Sequence, residues 1–390
     1  MEIDWKKTKT RFKKLKTNEK YRKAMQDKTA KLWDPLHIPF EECAYTFLMS
    51  DRSRGKTNQI LLLMMIAAWD YDKKIEYVRT TEDEIAPKTI LSMFDVITCF
   101  EYISIITGGE YNTVRYDARQ WRYARSEHGK ITKVCEKPFM HMSCVRRYMD
   151  LKSGYNSNDS DLILYDEFIG KEQEQDFERY MQLQSTFFRM RGKCKAVFIA
   201  NTVNKQAPFF YEFTIAEPLE KLGNGDNILV QNPLGTRFYV EILESDKSNT
   251  KIKINTEYYG FTNSKLASIT GAETWTFKEY QKINSEITKE YTAKNIYIYY
   301  HGHYYRCDIA LSDEQSLPMI EVHRASRIYS DSIIYTLENG TDPRYIYGLG
   351  YLRSHQKFWK LFSQNQFYFD SNETGDVIER YYTQARMKMR

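Results

Sequence analysis

Gly55, Lys56 and Thr57 close the stretch Ser50-Asp51-Arg52-Ser53-Arg54-Gly55-Lys56-Thr57, and about 110 positions later Asp166 and Glu167 stand side by side after Leu162-Ile163-Leu164-Tyr165. A glycine before a helix lets the backbone turn so that amide groups face an anion, and the start of the helix adds its positive end. A lysine there can bridge two phosphates, and the next hydroxyl can ligate a divalent cation. Of two adjacent carboxylates at a strand end, one can hold the cation's water shell while the other orients an attacking water. Together these residues point to hydrolysis of a Mg2+-bound nucleotide. Ser50 stands where the phosphate-loop consensus has its first glycine, so the loop is matched in its second half.

The flanking sequence has to hold these groups in place. Residues 43–49 (CAYTFLM) read as a short buried strand leading into the polar loop, and residues 58–69, rich in Leu, Met and Ala, read as a helix. Residues 74–79 (KIEYVR) look like the next core strand, and residues 82–100 like a helical region. Alternating residues from 111 to 145, around His128-Gly129-Lys130, predict an antiparallel hairpin at a sheet edge. The wholly apolar run 162–165 suits a central parallel strand, residues 177–189 a helix, and residues 194–200 (CKAVFIA) another buried strand. The expected fold is α/β, a P-loop domain around a mostly parallel sheet.

The chain has 390 residues, more than one hydrophobic core usually serves, so a division into domains is expected. The turn-rich residues Gly223, Gly225, Pro233 and Gly235 suggest a linker subdomain over 216–255. Strand-like runs at 296–300, 304–309 and 320–323, then an aromatic helix near 358–362, predict a second α/β unit over 256–390. Residues 1–34 form a basic arm, with 12 Lys and Arg against 4 Asp and Glu over residues 1–33, and the ATPase-type domain is expected over 35–215. The arm is read either as a phosphate- or partner-binding segment or as an amphipathic helix packed on the core.

The longest apolar stretch, residues 60–69, is about half a membrane span, so no membrane partner is expected. The six cysteines show no Cys-x-x-Cys spacing and are read as reduced packing residues. His301, His303 and Cys307 cluster around a hairpin turn, and the turn, rather than a metal, explains them because spacing places no fourth ligand.

Two further features bear on the site. The segment Phe187-Phe188-Arg189-Met190-Arg191 ends a helix with two arginines, either a solvated surface pair or groups that reach a phosphate of a neighbouring subunit. Asn201 follows a strand, either as its cap or as an amide placed to sense the phosphate.

With these motifs in view, the loop's arginine and its Gly-Lys-Thr end, the Tyr165-Asp166-Glu167-Phe168-Ile169 segment, residues 187–191 and Ala200-Asn201 resemble the DNA-encapsidation ATPases of small short-tailed phages with protein-primed replication. These are additional-strand P-loop ATPases of the terminase and translocase type. The resemblance implies ATP and Mg2+ as cofactors, with residues 50–57 and Arg79 at the nucleotide, Thr57 and Asp166 at the metal, Glu167 as the catalytic carboxylate and Arg189 as a finger acting in trans. It also implies Lys152, Arg191 and Asn201 as further trans-acting or sensing candidates. As partners it implies double-stranded DNA, a capsid portal and other copies of the chain in a ring, pentameric in the family's pattern, and it leaves room for a structural RNA. The setting implied is the host cytoplasm, with transient attachment to the procapsid. The C-terminal unit is implied to be RNase H-like, a nuclease that has lost its metal-binding acids; Asp308 and Glu321 lie on strands without two-metal spacing. Two alternatives stand beside this reading: a large terminase with an active nuclease, and a non-catalytic capsid-vertex or nucleic-acid-binding protein.

Overall fold

The structure is a computed structural model, and it describes residues 2–26, 33–50, 55–86, 90–149, 160–169, 175–187, 194–201, 203, 205, 207–244, 280–283, 290–311 and 318–388. The chain divides into two compact units, Met1–Trp275 and Thr276–Arg390.

The first unit is built on strands β1 (Tyr45–Met49), β2 (Ile75–Arg79), β3 (Thr113–Asp117), β4 (Gln120–Glu127), β5 (Lys130–Val134), β6 (Met140–Cys144), β7 (Leu162–Asp166), β8 (Lys195–Ala200), β9 (Asn227–Gln231) and β10 (Arg237–Ile242). Their order is β3-β4-β6-β2-β7-β8-β1-β10-β9, with β5 beside β4. The six strands from β6 to β10 run parallel, while β3, β4 and β5 at one edge and β9 at the other are antiparallel. Strands β7 and β6 are buried along their whole length, as expected of parallel strands covered on both faces.

The N-terminal helices are α1 (Trp5–Leu15) and α2 (Glu19–Gln26), and α3 (Lys56–Tyr71) follows Gly55. Ile60 to Ala68 are all buried, so α3 is a core helix rather than an amphipathic surface one. Trp5, Phe12 and Leu15 of α1 pack into the same core as α3. Arg11 binds Asp70, and the Tyr71 hydroxyl donates to the carbonyl of Asp4 at 3.3 Å. The basic arm is thus, in this part, an amphipathic helix docked on the core. The opposite face of the sheet is covered by α4 (Asp176–Phe187) and by the short helices Pro208–Glu212 and Ala216–Leu219, around an aromatic core that includes Phe47, Tyr165, Tyr180, Phe198 and Phe209.

One expectation is corrected. The described part of the supposed linker subdomain is integral to the main sheet, because β10 lies parallel to β1, with Leu48 opposite Glu241. Five of the six residues of β10 are buried, which supplies the apolar surface that draws it against β1. Pro233 and Gly235 belong to the β9–β10 hairpin turn, and residues 245–255 lie outside the described residues.

The second unit has strands β11 (Glu290–Tyr300), β12 (His303–Leu311), β13 (Met319–Ala325), β14 (Ile333–Thr336), β15 (Tyr345–Tyr347) and β16 (Phe367–Phe369), in the order β15-β14-β11-β12-β13-β16. The first three are antiparallel neighbours, and β14 and β15 continue the sheet in parallel from β11. That is an RNase H-like sheet. Helices α5 (Arg353–Ser363) and α6 (Asn372–Lys388) contribute Phe358, Trp359, Ile378 and Tyr381 to its core. His301 and Gly302 form the two-residue β11–β12 turn, both at positive φ, and Cys307 is a buried core residue.

Candidate active site

Gly55 adopts φ 78°, a left-handed conformation that glycine takes without steric cost, and the chain enters α3 directly after it. Lys56 opens the helix and is 3% exposed. Its Nζ donates to Ser50 Oγ at 2.5 Å and to Asn201 Oδ1 at 3.4 Å. Ser50 is held at the end of β1 by its own N–H, which donates to the carbonyl of Ala200. The residue at the first-glycine position therefore provides a hydroxyl that receives the lysine.

Thr57 points from the first turn of α3 to the end of β7, where its hydroxyl donates to Asp166 Oδ1 at 3.0 Å. Asp166 also accepts from the Tyr77 hydroxyl at 2.7 Å and from Arg79 Nη1 at 3.0 Å. Glu167 follows at φ 54°, a turn that moves its side chain out of the strand's alternation. It accepts from Arg79 Nη2 at 2.6 Å and from Asn201 Nδ2 at 2.8 Å. Arg79 in turn reaches Glu84 at 3.5 Å, and Glu84 accepts from the Thr81 N–H and hydroxyl at the start of the 3-10 turn Glu82–Ile85.

The electrostatics follow from this packing. Burial works against the Arg79 charge, but Asp166 first, and then Tyr77, Glu167 and Glu84, more than reverse it, so the guanidinium is fixed in its charged form. Tyr77 is raised well above the ordinary phenol range by burial and then by Asp166, so its hydroxyl stays a proton donor.

The structure therefore brings together Ser50, Lys56, Thr57, Arg79, Asp166, Glu167 and Asn201. Arg79, expected at the nucleotide, here spends its contacts on the carboxylates, and Asn201 bridges Lys56 and Glu167. Asp51, Arg52, Ser53, Arg54, Lys152, Arg189 and Arg191 lie outside the described residues. Sequence reasoning missed Tyr77 and Glu84. Tyr77 shares a strand face with Arg79 by the two-residue alternation, which is the signal that could have found it.

Thr57 and Asp166 converge as hard oxygen donors of the kind Mg2+ takes while keeping several waters, so they fit that ion. Among the described residues, no group of three or more His, Cys, Asp or Glu could itself hold a metal, and no helix is long and apolar enough to cross a membrane.

Fold and site together define an α/β unit in which one strand, β8, separates β1, which precedes Gly55 and Lys56, from the acidic strand β7, joined to an RNase H-like unit. No family model matches the sequence, and no curated protein matches it. Among solved structures, a chain of the bacteriophage Phi-29 viral genome packaging motor assembly matches with a TM-score of 0.56 at 15% identity, over 92% of this chain and 100% of that one. The Phi-28 gp11 DNA packaging motor matches with a TM-score of 0.52 at 16% identity, over 92% of this chain and 98% of that one. At these identities the likeness is one of fold, and it extends through both units.

Proposed function

We propose that this chain is the ATP-hydrolysing subunit of a viral genome-packaging motor that drives double-stranded DNA into a preformed capsid. The observation behind it is the contact between Thr57 and Asp166 at 3.0 Å, with Lys56 and Glu167 beside them, in a fold that follows packaging-motor chains over 92% of its length. Lys56 exchanges Ser50 and Asn201 for the β- and γ-phosphates when nucleotide binds. Thr57 and Asp166 would hold Mg2+, which would supply charge to neutralise the phosphate oxygens. Glu167 orients the attacking water once Arg79 yields its Oε2, while Asn201 keeps hold of Oε1 and reports the loss of Lys56. Arg189 completes the site from a neighbouring copy, which requires a homomeric ring, and Lys152 and Arg191 are candidates for the same boundary. A pentamer docked on a capsid portal in the host cytoplasm, with or without a structural RNA, is the assembly in which this arrangement works.

The test is ATP turnover with and without duplex DNA. Turnover that rises with DNA and disappears in Lys56→Ala supports the reading, and a chain that binds DNA without hydrolysing ATP overturns it. A terminase with a working nuclease is the second reading. Against it, the central strand β11 presents Tyr297 and Tyr299, and Asp308 is paired with Arg306 at 2.7 Å. Mn2+-dependent plasmid cleavage by the full chain would establish that reading instead.

A further inference from the structure

The turn between β3 and β4 has only two residues, since Asp117 pairs with Gln120. Ala118 and Arg119 occupy it at φ 45° and 64°. Such a turn needs positive φ at both positions, which is why Asn-Gly is its usual sequence, and an alanine and an arginine there are held against their steric preference. Strain of this kind persists where the side chain it presents has a use. The side chain presented is Arg119, with its carbonyl accepting from the Met142 N–H at 2.9 Å.

Arg119 meets Glu82, and Arg147, just past β6, meets the same carboxylate. Three elements thus converge at the C-terminal edge of the parallel strands. The side chains of Arg119, Arg147 and Glu82 are 34%, 39% and 47% exposed. Ion pairs this exposed are weak and screened by salt, whereas a phosphodiester offers guanidinium groups a forked acceptor, so a phosphate can displace Glu82. The strand order puts β4 five strand spacings from β1, about 24 Å. Arg119 thus stands well away from Lys56 at the end of β1.

Glu82 and Glu84 belong to the same 3-10 turn, Glu82–Ile85. Glu84 holds Arg79, and Arg79 holds Glu167. We infer that Arg119 and Arg147 form a binding site for the phosphate backbone of duplex DNA, with Glu82 as its internal competitor, and that occupancy passes through this turn to Arg79 and so to Glu167. The identity of the ligand rests on the proposed packaging function. The coupling runs in one direction of charge: a phosphate takes the arginines, Glu82 is released, and the turn is free to draw Glu84 and Arg79 from the water-orienting carboxylate.

The experiment measures duplex binding against salt, without nucleotide, and the ratio of ATP turnover with and without DNA. Arg119→Gly suits the turn, so its thermal midpoint should equal or exceed that of the natural chain, which separates lost binding from lost folding. Arg119→Gly and Arg147→Gln are each expected to reduce the salt slope by about 0.9 and to abolish the stimulation. Glu82→Gln should tighten duplex binding at fixed salt, and Lys137→Gln, on another surface pair with Asp72, should change neither quantity. Natural slope and stimulation in both arginine variants would overturn the proposal. So would loss of stimulation at an unchanged slope, with activity restored by mixing in Lys56→Ala subunits, because the phosphate would then be a neighbour's nucleotide. A natural chain with no ATP turnover at all would sink the proposed function, and the slope alone would then decide the DNA site.

Discussion

Arg79 Nη2 and Glu167 Oε2 are 2.6 Å apart, and the same guanidinium holds Asp166 at 3.0 Å. One side chain at the end of β2 thus orders both carboxylates at the end of β7. Asp166 is 6% exposed, so taking Arg79 away leaves a buried charge short of a partner. Arg79→Gln should lose about 3 kcal/mol of stability and slow turnover at least roughly tenfold. Arg79→Lys should not rescue it, since one ammonium cannot reproduce a planar fork. Chemical denaturation and steady-state turnover measure the two effects, and a stable, active Arg79→Lys would show that only charge matters here.

Glu167→Gln keeps the length and the Asn201 neighbour of the natural residue but loses the charge that we propose orients water. ATP binding should persist near its natural affinity while turnover falls by about 10² to 10⁴. Equilibrium binding of a fluorescent nucleotide, set beside turnover, separates the two. Near-natural hydrolysis would move the role of water-orienting carboxylate to another residue.

His37 gives a pH signature away from the site. Its imidazole lies 2.8 Å from Glu241 Oε2, and Glu241 also accepts from Trp33 Nε1 at 3.0 Å and from Tyr239 at 3.2 Å. The hydrogen bond to Glu241 raises the His37 pKa, with burial opposing it. A folded pKa above the unfolded value of about 6.5 means that the stabilisation is complete below that value and is lost as pH rises through the folded pKa. The difference in melting temperature between the natural chain and His37→Asn should therefore be larger at pH 5.5 than at pH 9. A difference that grows with pH would show that the contact is made by the neutral ring.

Arg189, if it acts across a subunit boundary, has a mixing test. Arg189→Ala and Lys56→Ala proteins should each be inactive, with losses on the order of 10³ to 10⁵ for the arginine. Mixed rings would contain some boundaries where an intact loop faces an intact arginine, and turnover should partly return. If no mixture restores activity, Arg189 serves its own subunit.

Lys56, Thr57, Asp166 and Glu167 were legible because each follows a short apolar strand at a spacing that an α/β order can close. Arg79 and Asn201 were legible as positions, at strand ends, but not in their partners, since which carboxylate a guanidinium meets depends on strand order. Tyr77 reads as one more aromatic residue in a core strand until its hydroxyl is seen against Asp166. The β9–β10 hairpin was misread because its glycines and proline look like a linker, while the evidence for a strand is pairing with β1, remote in sequence. Strands β14, β15 and β16 have three or four residues, too few for a periodicity to show.

Helix α3 begins at Lys56, is buried from Ile60 to Ala68, and ends at Asp70 and Tyr71, held by Arg11 of α1 and by Asp4 just before it. Sixteen residues make a rod about 24 Å long. Enclosed along its length and tied at its far end, α3 is packed with α1 into one body. A displacement of Lys56 along this axis would therefore reach α1, whose Lys6, Lys7, Lys13 and Lys14 stand exposed to solvent.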